Sequence, residues 1–354
     1  MNRRMLLGYV ILGIAFISLA LMWFIFDLLY DAGEFKTIAP HFSGACRRIS
    51  PAPGAEDITI HPKTGIAFIS SDDRRARMRG EPSQGAIYVY DLNHPSPTLT
   101  NPTIDFEQDF HPHGISLYID ESGDEKLFVV NHRAAGDCIE IFDYSEDKLI
   151  HRESLRHALM TSPNDVVAVG PRSFYVTNDH GNETAWGRTL EEYLRLARSY
   201  VLYYDGQQFQ IAAQNIAYAN GINLSHDGKQ LFVAACVGRK IKIYNREAEA
   251  GRLTFLGNIG LDTGVDNIEV DANGDLWVAA HPQLRAFTRH ARDAKNLSPS
   301  QVLKIFLQEN PPKIDEIFLD HGHKISGSSV AAVFGNRLLI GSVFEEHFLV
   351  CEMQ

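Results

Sequence analysis

The sequence contains none of the short motifs that mark the common serine and zinc hydrolases. No G-x-S-x-G segment is present, which argues against a serine enzyme of the α/β-hydrolase type. No H-E-x-x-H or C-x-x-C segment is present either, which argues against a zinc protease and a thioredoxin-like redox enzyme. Any catalytic chemistry in this chain must therefore depend on another set of side chains.

A basic tract is also missing. The 354 residues include 33 Lys and Arg against 44 Asp and Glu, which gives a formal net charge of −11. This balance argues against nucleic acid as a partner. An excess of carboxylates is compatible with binding a hard cation, but it is explained better by solubility alone.

Cysteine is scarce, with four residues in the chain. Cys46 and Cys351 lie near the start and the end of the folded region, whereas Cys138 and Cys236 lie in or beside apolar, strand-like segments. Four cysteines allow three full pairings, so a choice between them rests on position. A bridge between Cys46 and Cys351 would tie the first element to the last, with the other two as buried thiols.

One long apolar run stands apart at the N-terminus. Met5–Phe26 is an uncharged stretch of 22 residues that follows Arg3 and Arg4. As a helix it would be roughly 33 Å long, enough to cross a bilayer. The flanking charges predict a signal anchor with the remaining chain outside the cytoplasm. The rival reading is a cleaved signal peptide, which would make the protein secreted. We therefore predict two parts, an anchor with its juxtamembrane segment (1–34) and a folded domain (35–354).

The folded domain is built from a repeated pattern of a polar residue, a short apolar strand, a turn and further strands. The spacing of successive repeats ranges from 46 residues (Asn220 to Asp266) to 62 residues (Asp266 to Ser328). Periods near fifty residues with about four short strands each are typical of β-propellers. Six such repeats predict an all-β, six-bladed propeller. One helical interruption is expected, at Thr189–Arg198.

The first residues of the repeats would converge on the central channel. They carry carboxylates, amides, one imidazole and one hydroxyl, and they are Glu56, His113, Asn164, Asn220, Asp266 with Asn267, and Ser328. Unpaired buried charges at an axis are costly, whereas Ca²⁺ takes about 6–8 oxygen ligands of these kinds. The ring therefore predicts a calcium site, and a solvated polar tunnel without metal is the alternative. Asp57 and Asp165 follow ring members directly, so a second, deeper cation is plausible.

At these positions the chain resembles the paraoxonase/arylesterase family of six-bladed propellers. The resemblance covers residues 46–351, and the stretches that carry it are HPHGIS (111–116), VVNH (129–132), NDVVAVGP with FYVTNDH (164–180), ANGIN (219–223), VDNI (265–268), AAHP (279–282) and GSVF (341–344). The family consists of calcium-dependent enzymes that hydrolyse lactones and aryl esters. The resemblance implies the same activity here, on a small-molecule lactone or ester, with two calcium ions.

The resemblance also implies roles for individual residues. The catalytic calcium would be held by Glu56, Asn164, Asn220, Asp266 and Asn267. The structural calcium would be held by Asp57, Asp165 and the backbone carbonyl of Ile115. The catalytic dyad would be His113 and His132, and the disulfide would join Cys46 to Cys351. Residues of the substrate pocket would be His281, Tyr218, Asp179 and His180.

Several positions depart from the family pattern. Asp72–Gly80 is rich in arginine where the animal paraoxonases carry a Tyr-containing flap, and Tyr218 stands where they have Phe. Ala280 replaces their free cysteine, and Thr189–Arg198 is more charged than their lipid-binding helix. The resemblance therefore predicts neither the substrate range nor lipoprotein association.

The expected chemistry is hydrolysis of a carbonyl group that calcium polarises, with His113 as general base and His132 as relay or orienting group. Two alternatives are a propeller hydrolase of the gluconolactonase or strictosidine-synthase type, and a non-catalytic, membrane-tethered calcium propeller that binds a partner. Asn182, Asn223 and Asn296 begin glycosylation sequons. Asn223 lies in a predicted inner strand, where modification is not expected. The sequence does not indicate an oligomeric state.

Overall fold

Six separate antiparallel sheets follow an N-terminal helix in the computed structural model, which describes residues 3–354. The strands of the first half, in chain order, are β1 (His41–Phe42), β2 (Gly44–Ile49), β3 (Ala55–Ile60), β4 (Ile66–Ser71), β5 (Ala86–Asp91), β6 (Pro112–Ile119), β7 (Glu125–Asn131), β8 (Cys138–Ser145), β9 (Lys148–Leu155), β10 (Pro163–Ala168), β11 (Phe174–Asn178), β12 (Ser199–Tyr204) and β13 (Phe209–Ile216). Those of the second half are β14 (Ala219–Leu224), β15 (Gln230–Ala235), β16 (Lys240–Glu247), β17 (Arg252–Gly260), β18 (Gly264–Val270), β19 (Leu276–His281), β20 (Ser300–Phe306), β21 (Lys313–Asp320), β22 (Ser328–Phe334), β23 (Arg337–Ser342) and β24 (Phe348–Met353).

The innermost strands of the six sheets form a closed ring. Each contacts the innermost strand of the next sheet, in the order β3, β6, β10, β14, β18, β22 and back to β3. Apolar side chains fill the spaces between neighbouring sheets, as where Phe68 of the first sheet packs edge-on against Tyr144 of the second, with ring centroids 4.8 Å apart. The predicted all-β, six-bladed propeller is confirmed.

The first blade has three strands instead of four. Residues 92–110 take the place of the missing outer strand and pair with β5 at one point, the bridge between Val89 and Thr100. The hydroxyl of Thr103 also accepts a hydrogen bond from the backbone N–H of Ile87 at 3.1 Å. A loop can therefore satisfy part of an edge that would otherwise remain open.

The ring closes through a blade built from both ends of the folded domain. The order of this sheet is β2-β24-β23-β22, so one strand comes from the N-terminal side and three come from the C-terminal end. Cys46 lies directly opposite Cys351 in the β2–β24 ladder, and the two form a disulfide. Cys138 and Cys236 are free and buried. The disulfide predicted between the first and last elements is confirmed.

The described residues contain four helices, and only one lies where the sequence predicted an interruption. Their bounds are α1 (Arg3–Asp31), α2 (Arg74–Met78), α3 (Ala185–Tyr193) and α4 (Leu284–Arg292). The helix predicted at Thr189–Arg198 is placed too late. Its actual start follows the N-cap Thr184, whose hydroxyl accepts from the N–H of Gly187, and beyond its end Arg195 has a φ of +53°.

The N-terminal helix is a candidate membrane span. It is apolar and long enough to cross a bilayer, and none of its most apolar stretch is buried against the protein. Its C-terminal end contacts the propeller, because Asp31 pairs with both Arg195 and Arg239. The backbone N–H of Leu284 also donates to the carbonyl of Ala32 at 2.9 Å. The division of the chain after residue 34 stays a prediction.

Replacing both Cys46 and Cys351 by Ala should destabilise the propeller. The two residues are 305 positions apart in sequence, and a bridge over a long loop restricts the unfolded chain most. We expect a loss of about 2–5 kcal/mol in the free energy of unfolding. Urea unfolding followed through the fluorescence of the buried Trp277 measures it. A reductant should lower the stability of the wild type but not of the double variant. Equal stability of the wild type and the double variant in the absence of reductant would contradict the prediction.

Candidate active site

Polar residues enter the channel at an irregularity shared by all six blades. In each innermost strand, the pairing with the second strand slips by one residue at the same point. The residues in the slipped segments are Glu56, His113 with Gly114, Asn164 with Asp165, Asn220 with Gly221, Asp266 with Asn267, and Ser329. A β-bulge leaves such residues outside the ladder and re-aims their side chains. The member in the last blade is Ser329 rather than the predicted Ser328, because Ser328 still pairs with Ser342.

Hydrogen bonds bring several of the predicted ligands together across the channel. The side-chain amide of Asn267 donates to Glu56 Oε1 at 2.9 Å, and the hydroxyl of Ser329 donates to the backbone carbonyl of Glu56 at 2.6 Å. Asp266 Oδ2 lies 2.8 Å from His281 Nε2. Glu56 and Asn267 are therefore held at the channel by contacts between blades that are far apart in sequence, and Asp266 is held by a contact within its own blade.

Four of the five residues predicted for the upper ion have a buried side-chain oxygen without a hydrogen-bond partner in residues 3–354. These atoms are Glu56 Oε2, Asn164 Oδ1, Asn220 Oδ1 and Asn267 Oδ1. A buried polar atom without a partner is costly, and such atoms are rare in folded proteins. Carboxylate and amide oxygens are also the ligands that Ca²⁺ prefers. The residues present therefore fit a hard cation.

Among residues 3–354, no group of three or more His, Cys, Asp or Glu side chains is arranged to hold a metal ion. This finding fits the composition of the ring, in which three of the five predicted upper ligands are asparagines. A site that depends on amide oxygens suits Ca²⁺ and does not suit Zn²⁺, which prefers Cys and His.

Asp57 and Asp165 form a second pair of carboxylates. Each accepts a hydrogen bond from the innermost strand of the next blade, Asp57 from the N–H of Ile115 and Asp165 from the N–H of Ile222, both at 2.7 Å. Burial raises the pKa of both carboxyls well above the usual range, and repulsion from Glu56 and from Asp57, respectively, adds to the effect. A cation between them would remove this repulsion.

Glycine at position 114 makes room for this pair. A β-carbon at Gly114 would lie 2.4 Å from both the α-carbon and Oδ1 of Asp165. No larger residue fits without displacing the carboxylate. The structure places the N–H of Ile115 on Asp57, and the predicted role of the Ile115 carbonyl stays a prediction.

The two predicted catalytic histidines form a hydrogen-bonded chain. His113 Nδ1 lies 3.0 Å from His132 Nε2, and His132 Nδ1 lies 3.0 Å from Asp137 Oδ1. The other end of the chain reaches the ring, because His113 Nε2 lies 3.5 Å from Glu56 Oε1. Burial lowers the pKa of His132, and the nearby His113 and Arg74 lower it further, although Asp137 acts in the opposite direction. The arrangement can hold and move a proton at the edge of the ring.

The predicted pocket residues have contacts of their own. His180 Nδ1 lies 2.6 Å from Asp179 Oδ1, and its Nε2 lies 3.0 Å from Glu192 Oε1. The ring of Tyr218 lies edge-on to His180, with centroids 5.0 Å apart. Tyr218 has a φ of +62°, a conformation that is uncommon for a bulky residue and is found at functional sites. His281 stacks on Phe287 of α4 at 3.9 Å.

Sequence reasoning missed three partners of these residues. They are Asp137, Glu192 and Arg74, which face His132, His180 and Glu56, respectively. Asp137 follows a turn only five residues after His132, so its nearness was open to inference. Arg74 and Glu192 lie on the inserted helices, and their contacts depend on how those helices fold back over the channel.

Comparison with known proteins assigns the chain to one family. The family model described as Arylesterase matches residues 34–353. The chain belongs to the arylesterase family. Among curated proteins of the family, it is 40% identical to human serum paraoxonase/arylesterase 1 over 313 residues, which covers 85% of this chain and 86% of that one. It is 39% identical to chicken serum paraoxonase/arylesterase 2 over 311 residues, with the same coverage.

Solved structures outside these relatives share the fold of this arylesterase-family chain. A putative gluconolactonase aligns with a TM-score of 0.55 at 16% identity, covering 90% of this chain and 95% of that one. The calcium-binding protein regucalcin from Agrobacterium tumefaciens aligns with a TM-score of 0.55 at 15% identity, covering 90% and 98%. At these identities the likeness extends to the fold alone.

Replacing His180 by Gln should destabilise the protein in a way that depends on pH. Burial disfavours the charged ring, but Asp179 and Glu192 outweigh it and raise the pKa of His180 to about 9, from an ordinary value of 6.5. A raised pKa means that the stabilisation is complete below about pH 6.5 and is lost as the pH rises through about 9. The difference in unfolding free energy between wild type and variant should be at most about 3 kcal/mol near pH 6 and should shrink toward pH 10.

Urea titrations of both proteins between pH 6 and pH 10 measure this difference. His94→Gln is the matched control, because His94 is exposed and lies in the loop after β5. A difference in unfolding free energy between wild type and His180→Gln that stays constant from pH 6 to pH 10 would contradict the raised pKa of His180.

Proposed function

We propose that this protein is a calcium-dependent hydrolase of lactones and aryl esters in which His113 activates water. Membership of the arylesterase family supports hydrolysis of esters or lactones. The relatives named paraoxonase/arylesterase support the same class of substrate.

The observation that carries the proposal is the hydrogen-bonded chain from Asp137 through His132 to His113. A carboxylate at His132 Nδ1 favours a proton on that nitrogen, which leaves His132 Nε2 as an acceptor. His113 Nδ1 then donates to His132, and the lone pair of His113 Nε2 faces the ring. In the neutral dyad, His113 Nε2 is therefore the atom able to take a proton from water, and His132 is the relay.

Two calcium ions would complete the channel. We assign the upper ion to Glu56, Asn164, Asn220, Asp266 and Asn267, and the deeper ion to Asp57, Asp165 and the carbonyl of Ile115. The unpartnered oxygens of the upper set and the raised pKa values of Asp57 and Asp165 support this assignment. When bound at the upper site, calcium supplies Lewis-acid polarisation of the carbonyl and stabilises the charge that develops on its oxygen.

The remaining predicted residues would shape the substrate pocket. His281 holds Asp266 by a buried hydrogen bond and so fixes the orientation of one carboxylate of the ring. Asp179 orients His180, and Tyr218 packs against the ring of His180. These contacts support a structural role for the group in forming one wall of the pocket.

The proposed location is outside the cytoplasm, with α1 as the membrane anchor of a catalytic domain spanning residues 35–354. The disulfide between Cys46 and Cys351 favours an oxidising compartment. The length and apolar surface of α1 support membrane attachment, and a cleaved α1 would instead give a secreted protein.

Replacing Asn220 by Ala should remove the upper ion and abolish turnover while the fold survives on the deeper ion. The expected stoichiometry is one calcium per chain instead of two, measured by native mass spectrometry. Asn258→Ala is the matched control, because Asn258 lies exposed on β17, the outer strand of the same blade. An unchanged calcium content in Asn220→Ala would show that the assignment is wrong.

Replacing His113 by Gln should lower lactone turnover by about 10²–10⁴-fold, the usual range for a general base. Calcium content should not change, since imidazole is a poor ligand for a hard cation beside carboxylates. The measurement is the rate at which wild type, His113→Gln and the control His94→Gln hydrolyse an unactivated lactone. If His113→Gln hydrolyses the lactone at the wild-type rate, His113 is not the base, and a ring carboxylate such as Glu56 must activate the water.

A further inference from the structure

A cavity of about 310 Å³ lies directly beside the histidine dyad. His132 and Asp137 form one side of it, so it is adjacent to the proposed reaction centre. The other charged groups in its wall are the guanidinium groups of Arg77, Arg133 and Arg188. The volume is at the small end of the range for ligand pockets, about 300–1,000 Å³, so it suits one part of a ligand.

The wall carries three guanidinium groups, two of which are paired with carboxylates. Asp137 is its one carboxylate, and its Oδ1 is already bonded to His132. Behind the wall, Asp72 pairs with Arg77 at 2.9 Å, and Glu140 pairs with Arg133. These pairs use Nη1 of Arg77 and Nη2 of Arg133, and they leave the other Nη of each guanidinium group available.

Arg188 differs from the other two arginines. Its hydrogen bonds run to the backbone carbonyls of Asn182 at 2.9 Å and Thr161 at 2.8 Å. Among residues 3–354, no carboxylate lies within ion-pair distance of it. The carbonyls fix the position of the guanidinium group without neutralising its charge. Its charge is therefore available to an anionic ligand.

The three arginines come from three separate segments of the chain. Arg77 is on α2, Arg133 follows β7, and Arg188 is on α3. The segment that supplies Arg77 is the arginine-rich stretch that departs from the animal paraoxonases. Arg77 and Arg133 are paired with carboxylates, whereas the charge of Arg188 is not, so an anion in the cavity would be attracted chiefly by Arg188.

We propose that this cavity is an anion subsite, defined by Arg77, Arg133 and Arg188, which binds a carboxylate group carried by the substrate. The inference rests on the proposed function and adds the substrate class, a lactone or ester with a negatively charged side chain. A planar carboxylate suits the bidentate geometry of a guanidinium group. The nearness of His132 means that a short substrate can place its carboxylate here and its reacting carbonyl at the ring.

Two matched substrates test the subsite on the full-length chain in nonionic detergent. One is a five-membered lactone with a side-chain carboxylate, and the other is the same lactone with a primary amide in its place. The wild type should prefer the carboxylate by kcat/KM, and the preference should weaken as salt concentration rises. Arg188→Gln should lower the ratio of the two kcat/KM values about 10–100-fold, the effect of losing one charge-assisted hydrogen bond.

Arg79→Gln is the matched control, because Arg79 lies just after α2, is exposed and pairs with Glu81 outside the cavity. It should keep the wild-type ratio. Since Arg188 also holds backbone carbonyls, Arg77→Gln is a second variant that should lower the ratio even if Arg188→Gln fails to fold. A wild-type ratio in both folded variants would overturn the proposal.

Calorimetric binding of the two corresponding lactams, which are not hydrolysed, separates this proposal from the proposed function. Tighter binding of the carboxylate lactam, lost in Arg77→Gln, supports the anion subsite even if neither lactone is turned over. Binding without turnover would reject the proposed hydrolase activity and leave the anion subsite supported. Equal binding of the two lactams would overturn the anion subsite, whatever the turnover.

Discussion

Closing six sheets into a ring brings six innermost strands together around one axis. The rest of this structure depends on the side chains that these strands direct into the central channel. Each innermost strand slips out of register at the same point and turns polar side chains into the channel. The result is a buried set of carboxylate and amide oxygens of which four have no partner. Such an arrangement is unfavourable on its own, and this is the physical reason for the calcium ion proposed at the channel.

Much of this architecture was accessible from the sequence because it repeats. The predicted repeat starts Asn164, Asn220 and Asp266 all lie in the slipped segments of the innermost strands. The same pattern occurs six times in the chain, which makes it recognisable. The polar residue at the start of each repeat indicates the position of the bulge. The error at Ser328 arose because two serines stand together there, and only the pairing of Ser328 with Ser342 shows which one is outside the ladder.

Features that are not repeated could not be predicted in the same way. Helix α4 is held by tertiary contacts, such as the stacking of Phe287 on His281 and the hydrogen bond from Arg75 to the carbonyl of His290. The loop that replaces the fourth strand of the first blade likewise depends on one bridge and one threonine hydroxyl. Local propensity carries little information about such segments, since the partners that stabilise them are distant in sequence.

The positions that lack an oxygen ligand explain how a symmetric ring becomes an asymmetric site. Blades one and five contribute the carboxylates Glu56 and Asp266, and blades three and four contribute the amides Asn164 and Asn220. Blade two instead contributes His113, whose imidazole is a poor ligand for a hard cation but lies 3.5 Å from Glu56. In the proposed mechanism, proton transfer therefore takes place at the ring position whose side chain is the poorest ligand for the proposed calcium ion. The same blade supplies His132 and Asp137, so the whole hydrogen-bonded chain proposed to move the proton belongs to one blade.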